Sequence, residues 1–322
     1  MLWDLNPLVE TFISAETWKG DIDEKMFEID FNYPKKFIPS WSKLDYWHPR
    51  EFVEVLSTLW GFYHDHPSPL LAIPLLKITK YFSYAEMEFP KLYKSKVAKE
   101  RVERLLSSRW RETMKDMYWK EVDIVIRKVR EFQSLHPHEV SGVVKGGVDV
   151  LASEPPQVDA VITSPPYLQA QEYVRTFKLE LFWMGFTEET VRNLSKMEIP
   201  YNNPPEVKVQ GRTYYDFLEK VKKMNHQGLL KIYTTYFSSL LYFFSRVKAK
   251  KLGIFVGQVK MRDVRIPIDE ILKEHLESVG WAHEKTYIDT IVNRRLKKME
   301  VNPATKMKDE RTPKEHLLIM TK

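Results

Sequence analysis

The sequence predicts an α/β protein, a doubly wound sheet interrupted by a large, mostly helical insertion. Three observations predict it. Short β-branched or apolar runs, residues 159–163 and 251–261, alternate with stretches of helical spacing, as parallel sheets with crossover helices require. The first run, Asp159 to Thr163, stops at Pro165 and Pro166, which fix φ and remove two ladder donors. Residues 20 to 138, by contrast, carry helical periodicity and irregular Pro-containing chain only.

Taken in order, "MLWDLNP" reads as the end of a strand running into a turn, followed by a short helix from Leu8 to about Ser14. Residues 20–50, with Pro34, Pro39 and Pro49, read as irregular. Residues 51–66 and 69–82 are apolar at helical spacing, and 91–136 reads as charged, amphipathic helix, divided in two. These set the domain boundaries: 21–138 is the insertion, and 1–20 with 139–322 is the α/β domain. "HEVSGVVKGGVDVL" reads as a strand, a Gly-Gly turn and a short element. Residues 159–163 have the pattern of a strand buried on both faces, and Val174, Phe177, Lys178, Leu181 and Phe182 then recur at helical spacing. Residues 187–228, polar and rich in Pro and Asn, predict a mobile loop with short helices. A helix over 229–247, a strand over 251–261 and a helix over 267–279 follow, the last stopped by Gly280. Strands at 282–292 and 315–321 flank a basic loop, 293–314. No helix joins them, so one is expected to run antiparallel.

Composition narrows the function classes. With 322 residues the chain holds one large domain with an insertion, or two domains. A hydrophobic content of 43% rules against disorder. The absence of cysteine excludes disulfides, cysteine-bound zinc and a thiol nucleophile, and nine histidines without an HExxH pairing predict no metal. A net charge of +6 is compatible with a polyanionic partner. No apolar run reaches membrane-spanning length and no signal-peptide layout opens the chain, so a cytoplasmic location is expected.

The strand that stops at two prolines places Ser164 and Tyr167 at its carboxyl end, where open α/β sheets bind ligands. The turn's carbonyl oxygens, Pro165 C=O above all, lie beyond the ladder and are placed to accept hydrogen bonds. Tyr167 offers an aromatic face for stacking. Ser164-Pro165-Pro166-Tyr167 at a strand end resembles motif IV of the amino-methyltransferases, which move a methyl group from S-adenosylmethionine (SAM) to an exocyclic nucleobase nitrogen. The serine form is similar to the cytosine-N4 branch. "KGGVDVL" lies where the family places motif III, with Asp149 matching its acid. "WDLNPL" resembles motif II, with Asp4 matching the ribose-binding acid and Asn6 and Pro7 following. "VGQVKMRDVRIPIDEIL" and "TIVNRR" resemble the later strands and the substrate-side loop.

The resemblance covers residues 1–20 and about 140–322 and implies a Rossmann-like fold, SAM as cofactor and a nucleic-acid partner. It implies catalytic roles for Ser164, Pro165, Pro166 and Tyr167, and cofactor contacts from Asp4, Asn6, Pro7, Asp149, Thr163 and Ser164. Substrate contacts are expected from Arg175, Asn293, Arg294 and Arg295. The bland readings stay beside these: Asp4 as a helix N-cap, Asp149 as a turn acid, Arg175 and the basic loop as solvated charge. One departure stands out. The family's Gly-rich motif I would lie upstream of Met1, and among the 11 glycines no two are spaced as G-x-G. Cytosine N4 in DNA is the favoured target. RNA, adenine N6 or guanine N2, and a catalytically incomplete nucleic-acid-binding subunit are the alternatives.

Overall fold

The structure, a computed structural model, describes residues 1–88, 92–135, 141–168, 173–257, 259–290 and 314–322. The elements begin with β1 (Leu2–Trp3), α1 (Val9–Glu16), α2 (Leu44–Trp47), α3 (Arg50–Asp65), α4 (Pro69–Tyr81), α5 (Lys96–Leu106) and α6 (Trp110–Leu135). Next come β2 (Val144–Lys145), β3 (Ala160–Thr163), α7 (Tyr173–Thr176), α8 (Lys178–Trp183), α9 (Glu188–Met197), α10 (Arg212–Lys223) and α11 (Gln227–Arg246). The rest are β4 (Lys251–Gly257), β5 (Val259–Met261), β6 (Val264–Ile266), α12 (Ile268–Ser278), β7 (Ala282–Thr290) and β8 (Lys314–Thr321). The fold is α/β with a mixed sheet. It forms two compact units, residues 1–148 with 172–195 and residues 149–171 with 196–322.

The first unit is mainly helical. Helix α4 is apolar almost all round and is accordingly buried, with Leu70, Leu75 and Ile78 fully inaccessible. Its start is set by Pro69 in the first turn, where a missing N–H costs nothing. Helix α5 is capped by Ser95, whose hydroxyl accepts from Ala98 N at 2.9 Å. Helix α6 turns Met114, Tyr118, Val122, Val125 and Val129 inward at spacings of three and four residues. Trp60 donates to Thr79 Oγ1 at 2.9 Å, and Trp183 donates to His48 Nε2 at 3.1 Å. His48 Nδ1 lies 2.9 Å from Phe82 O. Burial lowers the His48 pKa to about 4, so the ring is neutral. It therefore donates from Nδ1 and accepts at Nε2, satisfying both nitrogens in an aromatic core.

The same unit contains a short parallel pair that joins the two ends of a long stretch of sequence: Leu2 pairs with Val144 and Trp3 with Lys145. The strand expected ahead of the Gly-Gly turn in 138–151 is β2, two residues long within the described residues. Gly146 and Gly147 end it, the latter at φ +68°.

In the second unit the strand order is β3-β4-β8-β7. β3 and β4 run parallel, and β8 runs antiparallel to both β4 and β7, as expected from a sequence that predicts no helix between the last two strands. Within the expected strand 251–261, β4 pairs in this sheet, and β5 forms a hairpin with β6 through Arg262 at φ 52°. Tyr236, Phe237 and Leu240 of α11 and Ile271, Leu272 and Leu276 of α12 pack with Leu252, Ile254, Val256, Leu318 and Met320 of the sheet. His316 Nδ1 and Asp269 Oδ2, 2.6 Å apart and buried, tie β8 to the first turn of α12.

One sequence expectation needs correction here. β3 is not buried on both faces. It is an edge strand of this sheet, and Ile162 is 77% exposed. Phe255 and Tyr287 are also exposed, on the face opposite to that carrying Ile254 and Leu318. The stretch 187–228 holds short helices, as expected, in α9 and α10. Thr187 Oγ1 accepts from Thr190 N at 3.2 Å to start α9, and Val191 and Leu194 bury its inner face. Among the described residues no helix is long and apolar enough to cross a membrane.

Candidate functional site

The ladder of β3 ends where Thr163 pairs with Ile254. Pro165 has no N–H with which to continue it, so residues 164–167 leave the sheet beside the carboxyl end of β4. Ser164 is exposed, while Thr163, Pro165, Pro166 and Tyr167 are half-buried. The Tyr167 ring leans on the core of the second unit. Its hydroxyl donates to Glu315 Oε1 at 2.6 Å. Glu315 pairs with Gly257, three residues beyond Ile254 on β4, so the phenol reaches across the end of β4 to β8. Sequence reasoning missed Glu315. Nothing in its neighbourhood marks it, since its partner is 148 positions away.

The loop after β1 is built from Asx geometry. Asp4 Oδ1 accepts from Asn6 N at 2.7 Å, and Asn6 Oδ1 accepts from Leu8 N at 3.1 Å. Helix α1 has Leu8 at its N-cap position, without a side-chain cap, so Asp4 caps no helix. The Asp4 carboxylate is exposed. Its main chain is held against the segment after β2, with Asp4 N donating to Lys145 O at 3.1 Å and Val148 N to Asp4 O at 3.0 Å. Gly146 lies directly on Pro7: a Cβ there would stand 2.6 Å from Pro7 Cα. The structure thus brings together the segment around Asp4 and the one that follows Lys145.

Asp149, half-buried, opens the second unit. Its Oδ1 accepts from Leu151 N at 2.8 Å, and its carbonyl accepts from Ser153 N at 2.9 Å. Arg246 secures this turn by donating to Val150 O and Ser153 O while lying over the Tyr242 ring. Arg175, on α7, is exposed in the first unit. Near it, burial first and then Lys43, Arg175 and Arg192 hold the Lys178 ammonium below the ordinary lysine range, against the pull of Glu188. Helical spacing groups Lys178 with core residues, yet it is part of a cationic surface. Asn293, Arg294 and Arg295 lie outside the described residues. Ser164 to Tyr167 and Asp149 belong to the second unit, and Asp4, Asn6, Pro7 and Arg175 to the first.

No protein-family model matches the chain. No solved structure matches it significantly. Among curated proteins, it is similar to the Type II methyltransferase M.BsoBI of Geobacillus stearothermophilus, with 26% identity over 165 residues. That similarity takes in 40% of this chain and 32% of the relative, about a third of the relative's length. It supports relating the chain to methyltransferases.

Proposed function

We propose that residues 1–20 and 139–322 form a Rossmann-like, SAM-dependent methyltransferase domain, with 21–138 as its helical insertion. Its target is the exocyclic N4 amine of cytosine in nucleic acid, DNA ahead of RNA. The observation that carries this reading is the Ser-Pro-Pro-Tyr turn, standing at the carboxyl end of β3 beside the parallel strand β4. The similarity to a Type II methyltransferase supports the methyltransferase part of this reading.

The residues present fit the cofactor in part. Asp4 offers an exposed carboxylate at the end of β1, suited to a pair of vicinal ribose hydroxyls. The backbone-to-backbone contact of Gly146 with Pro7 keeps the loop bearing Asp4 against the segment that leads to Asp149. No G-x-G turn for the methionine end occurs in the 322 residues. Bound SAM supplies an electrophilic methyl group on a sulfonium.

The chain's own residues act on the amine. An exocyclic amine is a poor nucleophile because its lone pair is delocalised into the ring. Acceptors that draw its hydrogens out of the ring plane localise that pair. The Pro165 carbonyl, beyond the last paired residue of β3, is one acceptor, and the Ser164 hydroxyl is the second. Tyr167 gives the base a face to stack on once it is out of its helix. Positioning and fixed dipoles carry the acceleration, with no covalent enzyme intermediate.

The test offers duplex DNA, single-stranded DNA and structured RNA in parallel with methyl-labelled SAM, and then identifies the modified nucleoside. N4-methylcytosine is the expected product. Label on a protein or a small metabolite would overturn the reading.

A further inference from the structure

We propose that Glu315 is a positioning residue for the strand-end turn: its carboxylate holds the Tyr167 phenol and so fixes the plane of the ring offered to the base. The proposal rests on the methyltransferase reading. Three observations lead to it. The contact is a short phenol–carboxylate hydrogen bond of 2.6 Å, in the range of charge-assisted O–H···O bonds. Its acceptor stands on a rigid element, since Glu315 is paired on both sides, with Gly257 of β4 and Asp289 of β7. The next residue, His316, is pinned by Asp269.

The third observation is a cost. Glu315 lies directly opposite Asp289 in the antiparallel pair β7–β8, and like charges so placed weaken a sheet. Ladder stability alone therefore does not favour a carboxylate at this position, whereas holding the Tyr167 hydroxyl does. The core against its flank and Glu315 at its tip both hold the ring. Without the bond at its tip the ring would tilt more readily, and the base stacked on it would drift from the in-line geometry.

The experiment compares wild type with Glu315→Ala, Glu315→Gln, Tyr167→Phe and the Glu315→Ala/Tyr167→Phe double variant. It measures single-turnover methyl transfer to a cytosine oligonucleotide at saturating SAM. SAM affinity is measured by calorimetry, and the labelled Tyr167 ring is observed by NMR. Glu315→Ala and Tyr167→Phe are each expected to slow transfer by roughly three- to tenfold, with SAM affinity unchanged. The double variant should be no slower than the worse single one, because both remove the same bond. Glu315→Gln, which keeps an acceptor and relieves the repulsion with Asp289, should stay within about twofold of wild type. A wild-type rate in Glu315→Ala, or effects that multiply in the double variant, would overturn the positioning role. So would an unaltered Tyr167 ring signal in Glu315→Ala, which needs no activity to be read. Absence of transfer by the wild type to any nucleic acid would instead remove the methyltransferase reading, and this role with it.

Discussion

Ser164 and Tyr167 stand at the end of one four-residue strand and have different surroundings: the serine is exposed and the tyrosine is half-buried against the core. Neither fills a large buried site, so removing either side chain should spare folding and act on chemistry. Ser164→Ala and Tyr167→Ala are each expected to cut methyl transfer at least about tenfold, roughly 1.4 kcal/mol of barrier. Steady-state assays beside thermal melts check this, and unchanged turnover in both variants would sink the assignment. His48 yields a prediction of a different kind. Its folded pKa of about 4 lies below the ordinary histidine value of 6.5, so between these values the unfolded chain binds more protons than the folded one. Stability from the neutral ring is thus full above pH 6.5 and is lost as pH falls towards 4, on the order of 3 kcal/mol in all. Urea unfolding at several pH values should show this slope in wild type and a shallower one in His48→Gln.

At the scale of the element, the pairing of β1 with β2 depends on a missing side chain. Gly146 meets Pro7 backbone to backbone, and a Cβ would stand 2.6 Å from Pro7 Cα and 2.7 Å from its carbonyl oxygen. Gly146→Ala must push two main chains apart, and a loss of about 1–3 kcal/mol is expected. Hydrogen exchange should show the amides of Leu2 and Asp4, bonded to Val143 O and Lys145 O, losing protection. Gly142→Ala, with open space around its Cβ, is the silent control. The Gly-Gly turn itself was legible in the sequence, but its partner was not: Pro7 lies far away in the chain, and no local pattern encodes which backbone a glycine will touch. The same division holds elsewhere. β3 and its abrupt end were legible because β-branching and two prolines act locally, whereas the exposure of Ile162 was not, since a short apolar run cannot distinguish a central strand from an edge. Short helices are expected in 187–228, but the bounds of α9 were not legible, because its polar face dominates the composition. Its signal lies in Val191 and Leu194, spaced three apart, and in Thr187 three residues before Thr190.

For the molecule as a whole, the proposed substrate is a polyanion, and the basic stretch 293–314 is the proposed grip. Replacing Arg294 and Arg295 together should weaken binding to most sequences alike and flatten its salt dependence by about two units of slope, one for each phosphate left without its arginine. Titrations of a labelled duplex across a salt series measure this, and an unchanged slope would return both residues to solvent. The order β3-β4-β8-β7 has its own consequence for how the protein is made. On the ribosome β4 and β7 both emerge before β8, the strand that lies between them and bonds to each. Until β8 arrives, the nascent chain carries the β3–β4 pair with an open edge, β7 without its neighbour, and the apolar side chains Leu252, Ile254 and Val256 without their partners Leu318 and Met320. Such a chain needs shelter from its neighbours during synthesis. Deleting residues 314–322, only the last nine, should therefore send the protein into inclusion bodies, as centrifugal fractionation of expressing cells would show.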